Sequence, residues 1–162
     1  MRVVRCFAFL DLCGFTAYTD EHGDDAAVAV LARLRAVLRA EAERRGVRVT
    51  KWLGDGAMLS GIDADAVLAC AAAVRDDVGR EGPLAIRGGI AEGPVIMFEG
   101  DDYIGASVNL AARLCAAAKP GQILVAKGCS VSDGAISPRP LPPVELPGVP
   151  EPVEVWELAP AA

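Results

Sequence analysis

Residues 3–10 form a run of β-branched, aliphatic and aromatic side chains that predicts a buried strand. Asp11 closes the run, and Leu-Cys-Gly-Phe-Thr follows it. Over residues 24–45 the apolar positions Ala27, Val30, Leu31, Leu34, Val37 and Leu38 recur at helical spacing. Asp24 and Asp25 suit that helix's first turn, and Gly46 suits its stop. Residues 47–52 and 57–62 predict two strands, joined by Leu53-Gly54-Asp55-Gly56, a tight hairpin signal. An alanine-rich helix is expected over 63–78, ended by Gly79, and then a strand over 84–91. Residues 93–102 predict a short hairpin or loop, 106–118 a helix closed by Lys119-Pro120-Gly121, and 123–126 a strand. The proline-rich stretch 138–152 predicts extended, irregular backbone, and the alternation over 153–158 predicts a returning edge strand.

The order β-α-β-β-α-β through residue 91 is the split βαβ, ferredoxin-like pattern. The expected fold class is therefore α+β: a palm-type antiparallel sheet with helices packed on it. No internal repeat, charge block or low-complexity linker divides the chain, so residues 1–162 are expected to form one domain.

Composition narrows the functional classes. With 52% hydrophobic residues the chain has the material for a core. A net charge of −6 argues against a general nucleic-acid binder, which normally carries a basic face. An acidic protein still binds a polyphosphate when metal ions supply the positive charge. The chain runs from Met1 and Arg2 straight into the first strand, which reads as no signal peptide, and no apolar stretch approaches the ~18 residues that span a bilayer. Cys6, Cys13, Cys70, Cys115 and Cys129 are scattered and lack a CxxC pair, which suits reduced thiols in a cytoplasm. His22 is the one histidine, read as a polar loop residue, so histidine catalysis has little to work with.

Two carboxylates carry the candidate chemistry. Asp11 follows a hydrophobic strand and precedes a glycine-containing turn into a helix, whose free N–H groups suit phosphate oxygens. Alone, Asp11 reads equally well as a helix cap. Asp55 alone reads as an ordinary turn residue of Gly-Asp-Gly. In a ferredoxin-like sheet the end of the first strand neighbours this hairpin, so the pair can converge. Two carboxylates that share hard cations with substrate phosphates are the usual magnesium arrangement, and two such ions can drive an in-line displacement.

Three motifs then stand in order: Phe9-Leu10-Asp11-Leu12-Cys13-Gly14-Phe15-Thr16, Lys51-Trp52-Leu53-Gly54-Asp55-Gly56, and Asp102-Tyr103-Ile104-Gly105-Ala106-Ser107-Val108-Asn109-Leu110-Ala111-Ala112-Arg113. Together they resemble the class III adenylyl cyclase catalytic domain, a resemblance that runs over residues 3–158. It includes Pro120-Gly121-Gln122-Ile123-Leu124 and Pro152-Val153-Glu154-Val155. The resemblance implies that Asp11, Asp55 and the Leu12 carbonyl bind two Mg²⁺ or Mn²⁺ ions, and that Gly14, Phe15 and Thr16 meet phosphate. It implies ATP as substrate and Lys51 with Asp102 as the adenine-selecting pair. Lysine can only donate and an ionised aspartate can only accept, which suits adenine N1 and its amino group and rejects guanine. Without the motifs, both residues read as exposed surface charges. Asn109 and Arg113, one helical turn apart, are implied to orient the ribose and to stabilise charge on the transferred phosphorus. The resemblance also implies a homodimer with shared active sites, the aspartates coming from one subunit and the other four residues from its partner.

Two departures stand out. The family's dimerisation hairpin is often longer than residues 94–101, which suggests a weak dimer. A family lysine on the terminal phosphates usually lies in Leu-Lys-Gly, where this chain has Glu145-Leu146-Pro147-Gly148. Losing that charge-assisted contact weakens triphosphate binding by roughly 1.5–3 kcal/mol unless Lys127 or Arg87 replaces it. Lys51 and Asp102 disfavour a guanylyl cyclase, and no GGDEF-type signature supports a diguanylate cyclase. The competing expectation is a nucleotide-binding or regulatory module of the same fold with little turnover.

Overall fold

The computed structural model describes residues 1–100, 102–132 and 138–159. In chain order its elements are β1 (Arg2–Leu12), α1 (Phe15–His22), α2 (Asp24–Arg45), β2 (Arg48–Leu53), β3 (Gly56–Gly61) and α3 (Ala64–Glu81). They continue with β4 (Ile86–Phe98), β5 (Asp102–Ile104), α4 (Ala106–Ala117), β6 (Ile123–Ala126), β7 (Pro138–Pro140) and β8 (Val155–Leu158).

The eight strands make one sheet in the order β2-β3-β1-β4-β6-β8-β7, with β5 paired to the distal end of β4. The first four, β2-β3-β1-β4, are antiparallel and have the ferredoxin-like order. The α+β expectation holds, with one amendment: the sheet is mixed. The α4 crossover returns β6 parallel to β4, which a hairpin could not do.

Alternation along β1 divides the core. Cys6, Ala8, Leu10 and Leu12 pack with Leu34, Leu38, Leu68 and Val74 of α2 and α3. Phe7 packs with Ala111 and Leu114 of α4 and with Leu124 and Val155. Helices therefore cover both faces of the central strands, as residues of period two on a doubly buried strand require. Arg75 of α3 is 4% exposed and ties that helix to the end of β8, donating to the carbonyls of Leu158 at 2.6 Å and Ala159 at 2.9 Å.

Four expectations are corrected. His22 is not a loop residue; it ends α1, where its ring lies 4.5 Å from that of Tyr18. Gly79 does not stop α3, which continues to Glu81 because Val78 is buried and Arg80 pairs with Asp77 at 3.3 Å one turn back. An exposed interior glycine costs a helix only about 1 kcal/mol. The strand expected over 84–91 instead runs over Ile86–Phe98 and pairs antiparallel with β5, which agrees with the hairpin expected there. Asp101 lies outside the described residues. Finally, β8 is not an edge strand: β7, from the proline-rich stretch, covers it.

Glycine lets α4 approach β4. A Cβ at Gly89 would overlap the backbone N of Cys115 and O of Ala111, and would lie 2.8 Å from the carbonyl carbon of Leu114.

Candidate active site

Asp11 lies within the last residues of β1 rather than beyond it, level with Gly56 on β3 and Arg87 on β4. Both neighbours shape its surroundings. Gly56 is required because a Cβ there would overlap the Leu10 carbonyl, and this close approach draws the β2–β3 hairpin against β1. The hairpin is fixed further where Leu12 N–H donates to the Asp55 carbonyl at 3.0 Å. The convergence of Asp11 and Asp55 expected from topology is thereby achieved.

The electrostatics are those of two like charges held together. Burial pushes the Asp55 carboxyl above the usual carboxylate range and the Asp11 charge pushes it the same way, while its own backbone N–H and Arg87 oppose the shift. Arg87 donates from Nε to Asp11 Oδ2 at 3.0 Å, with Nη2 also 3.0 Å from that oxygen in an ion pair, and from Nη1 to the Ala116 carbonyl of α4 at 3.0 Å. Asp11 Oδ1 is buried and has no hydrogen-bond partner. An orphaned anionic oxygen beside a second carboxylate fits a bound cation, since buried polar atoms are otherwise satisfied. Among the described residues, no group of three or more His, Cys, Asp or Glu side chains could hold a metal ion. A cation here would therefore take its remaining ligands from backbone, water or substrate. The pair opens onto a cleft of ≈ 220 Å³, lined by Leu53, Asp55, Arg87 and, from α4, Ala112, Cys115 and Ala116. Burial pushes the Cys115 thiol up to about 12, so it stays protonated at neutral pH.

Lys51 and Asp102, distant in sequence, are brought together: Nζ lies 2.6 Å from Oδ1, with both side chains about half exposed. Lys51 sits on β2 just after a bulge, and its neighbour Trp52 turns toward α2. There the guanidinium carbons of Arg35 and Arg39 lie 4.8 and 4.9 Å from the indole centroid. Asn109 and Arg113 both lie exposed on α4, as their spacing predicts. The Arg113 guanidinium donates to the Pro147 carbonyl and packs on Gly148, whose φ of +78° and lack of Cβ permit the contact. The residue that replaces the expected lysine thus holds Arg113 through its backbone. Gly14, at φ +73°, turns β1 into α1, and Phe15 and Thr16 begin that helix. None of Gly14, Phe15, Thr16, Lys51, Asp102, Asn109 or Arg113 lines the cleft at Asp11.

Sequence reasoning gave Arg87 and Lys127 equal standing as phosphate contacts. The structure separates them, because Arg87 is at the carboxylates whereas Lys127 pairs with Glu154 at 3.2 Å on the surface. The signal for Arg87 was register: in an antiparallel β1–β4 pair it is the residue opposite Asp11.

This fold is that of nucleotidyl cyclase catalytic domains. No family model matches the chain. It superposes on the adenylyl cyclase CyaB from P. aeruginosa with a TM-score of 0.81 at 24% identity, covering 100% of this chain and 96% of that one. Against the guanylate cyclase domain of RhGC from Catenaria anguillulae in complex with GTP the TM-score is 0.82 at 20% identity, with 100% of both chains covered. Adenylate cyclases from Trypanosoma brucei in their monomeric state give 0.84 at 22% identity, over 96% of this chain and 89% of theirs. The chain accordingly has the class III adenylyl/guanylyl cyclase fold. In sequence it is similar to uncharacterised proteins of Mycobacterium tuberculosis and Mycobacterium bovis, at 38% identity over 125 residues, 76% of this chain. It spans 33% of the length of those relatives. A 65-residue stretch, 37% of this chain and 9% of the relative, is 46% identical to a receptor-type adenylate cyclase of Trypanosoma congolense. Among the described residues no helix is long and apolar enough to cross a membrane.

Proposed function

We propose that this chain converts ATP to 3′,5′-cyclic AMP and pyrophosphate. The observation that carries the reading is the convergence of Asp11 and Asp55 on a cyclase fold, with one buried Asp11 oxygen left unpartnered. Asp11, Asp55 and the Leu12 carbonyl would hold Mg²⁺ or Mn²⁺. Such ions supply Lewis acidity toward the ribose hydroxyl and positive charge for the triphosphate. Arg87 is placed to turn from Asp11 toward phosphate oxygens once cations neutralise the carboxylates, and planar guanidinium suits that role. This compensates for Pro147 at the usual lysine position. Gly14, Phe15 and Thr16 offer the open N–H groups of α1 to phosphate.

Base choice rests on the Lys51–Asp102 contact, in which a donor-only and an acceptor-only group stand side by side. Lys51 donates to adenine N1 and Asp102 accepts from the amino group. Asn109 orients the ribose and Arg113 stabilises charge on the transferred phosphorus. None of these four residues lines the Asp11 cleft, and on this reading a second copy of the chain completes the site, two shared sites per homodimer. A second reading, a nucleotide-binding module with little turnover, draws on the Arg87–Asp11 pair and Pro147. The deciding measurement is product formation from ATP and GTP with Mg²⁺ or Mn²⁺, with and without EDTA. Metal-dependent cyclic AMP supports the cyclase. Nucleotide binding with no cyclic product under any of these conditions supports the module.

A further inference from the structure

Among the described residues, two buried side-chain polar atoms lack a hydrogen-bond partner. One is Asp11 Oδ1, at the metal-binding carboxylates; the other is Arg33 Nε on α2. The second belongs to a different place in the molecule. A cavity of ≈ 340 Å³ lies between α1, one face of α2 and the turn from α3 into β4. Tyr18, Ala29, Val30, Val78 and Leu84 supply its apolar walls, and Arg33 lines it as well. Its volume lies in the range of small-molecule sites, which are mostly apolar with a few polar groups that fix orientation.

Arg33 determines what such a ligand carries. Its Nη2 is 2.9 Å from Glu81 Oε2 and 3.9 Å from Asp77 Oδ1, and donates to the Asp77 carbonyl at 3.4 Å. The guanidinium charge is thus already balanced by carboxylates, and Glu81 also lines the cavity, where it repels an anion. Of this guanidinium's donors, Nε is the one that is buried and without an acceptor. A buried donor left unsatisfied carries its full desolvation penalty, so a matching acceptor gains by supplying the missing bond.

We propose that this cavity is a second ligand site, for a compact, uncharged, largely apolar molecule with one hydrogen-bond acceptor, such as a ketone or amide. The site is also coupled to the carboxylates. Leu84 precedes Ala85, whose carbonyl accepts from Cys13 N–H at 2.9 Å, and Tyr18 lies on the helix that begins at Phe15. Occupancy presses on both segments that flank the Asp11 strand end. The binding claim stands independently of the cyclase reading, and its test does not use turnover.

Acetophenone, ethylbenzene and benzoate serve as probes, titrated into the full ¹⁵N-labelled chain. Acetophenone should give saturable amide shifts at Ala29, Val30 and Leu84, and a transmitted shift at Cys13. Ethylbenzene, which lacks the carbonyl, should bind about tenfold more weakly, the scale of one hydrogen bond. Benzoate should bind no better than ethylbenzene. Arg33→Lys, which keeps the charge but removes Nε, should bring acetophenone down to the hydrocarbon's affinity. Val30→Trp, provided circular dichroism shows it folded, should abolish binding. Equal affinity for ketone and hydrocarbon, preference for benzoate, or no saturable shift up to the solubility limit of acetophenone would overturn the site. Shifts confined to the cavity, with Cys13 unmoved, would overturn the coupling.

Discussion

Asp55 shows how a single side chain works against its own fold. Its carboxyl is held above the usual range by burial first and then by Asp11, so between its unfolded and folded pKa values the native state binds more protons than the unfolded chain. Stability contributed at this position therefore falls as pH rises through that window and stays reduced above it. Asp55→Asn should accordingly stabilise the metal-free protein at neutral pH, with the gain shrinking to nothing as pH drops below the carboxylate range. Urea denaturation across pH measures this. Added Mg²⁺ should reverse the order, because only the parent gains binding free energy, about 2.7 kcal/mol at a hundredfold excess over Kd. A variant that is destabilised without metal would mean that the two carboxylates do not oppose one another. Asp11 and Asp55 were legible in the sequence because each sits in a short motif at a strand end or hairpin tip. Their partner Arg87 stood out only as one of two stand-ins for the absent lysine, because its place beside Asp11 depends on strand register, which no local pattern encodes.

At the scale of elements, β2 is fastened to α2 through Trp52, with Arg35 and Arg39 on the indole. Each contact should contribute ~0.5–1 kcal/mol, the value of a solvent-accessible cation–π pair. Arg35→Ala and Arg39→Ala should each cost that much with Trp52 present and much less in a Trp52→Leu background, a double-mutant cycle read by thermal or urea unfolding. Equal costs in both backgrounds would remove the indole from the account. The helix bearing these arginines, residues 24–45, matched its sequence expectation at both ends because long periodicity and an αL glycine at Gly46 mark it. So did β6, a short apolar run between a turn and a charged residue. The thirteen residues of β4 were expected to end at 91, because Gly93 and Pro94 break the pattern there, while Gly88 and Gly89 lie inside the strand. Those glycines answer to neighbours distant in sequence: Leu10 and Ile123 crowd Gly88, α4 crowds Gly89, and Ser107 crowds Gly93.

The whole molecule leaves Val4, Ile96, Phe98 and Ile104 exposed at one end of β1 and along the β4–β5 arm, where β4 and β5 pair Ile96 with Ile104. Clustered exposed apolar residues mark association surfaces. Under the proposed composite site, Asp11→Ala and Arg113→Ala should each be nearly silent, the latter by ~10²–10³-fold on the scale of a lost transition-state donor. Mixed, they should recover up to about half the parental rate per heterodimer, since one of the two sites regains both residues. Native mass spectrometry confirms subunit exchange, and verified heterodimers that stay silent would end the shared-site mechanism. Phe98→Glu should make activity depend more steeply on protein concentration. The approach of α4 to β4 at Gly89 reaches further, into which sequences this fold can visit. Every glycine codon lies one base from an alanine codon, so the smallest available step at position 89 needs a single base change. Yet it places a methyl group inside the backbone of the helix that carries Asn109 and Arg113. At position 89 drift meets a wall, and a deep mutational scan should record that residue as a near-empty column.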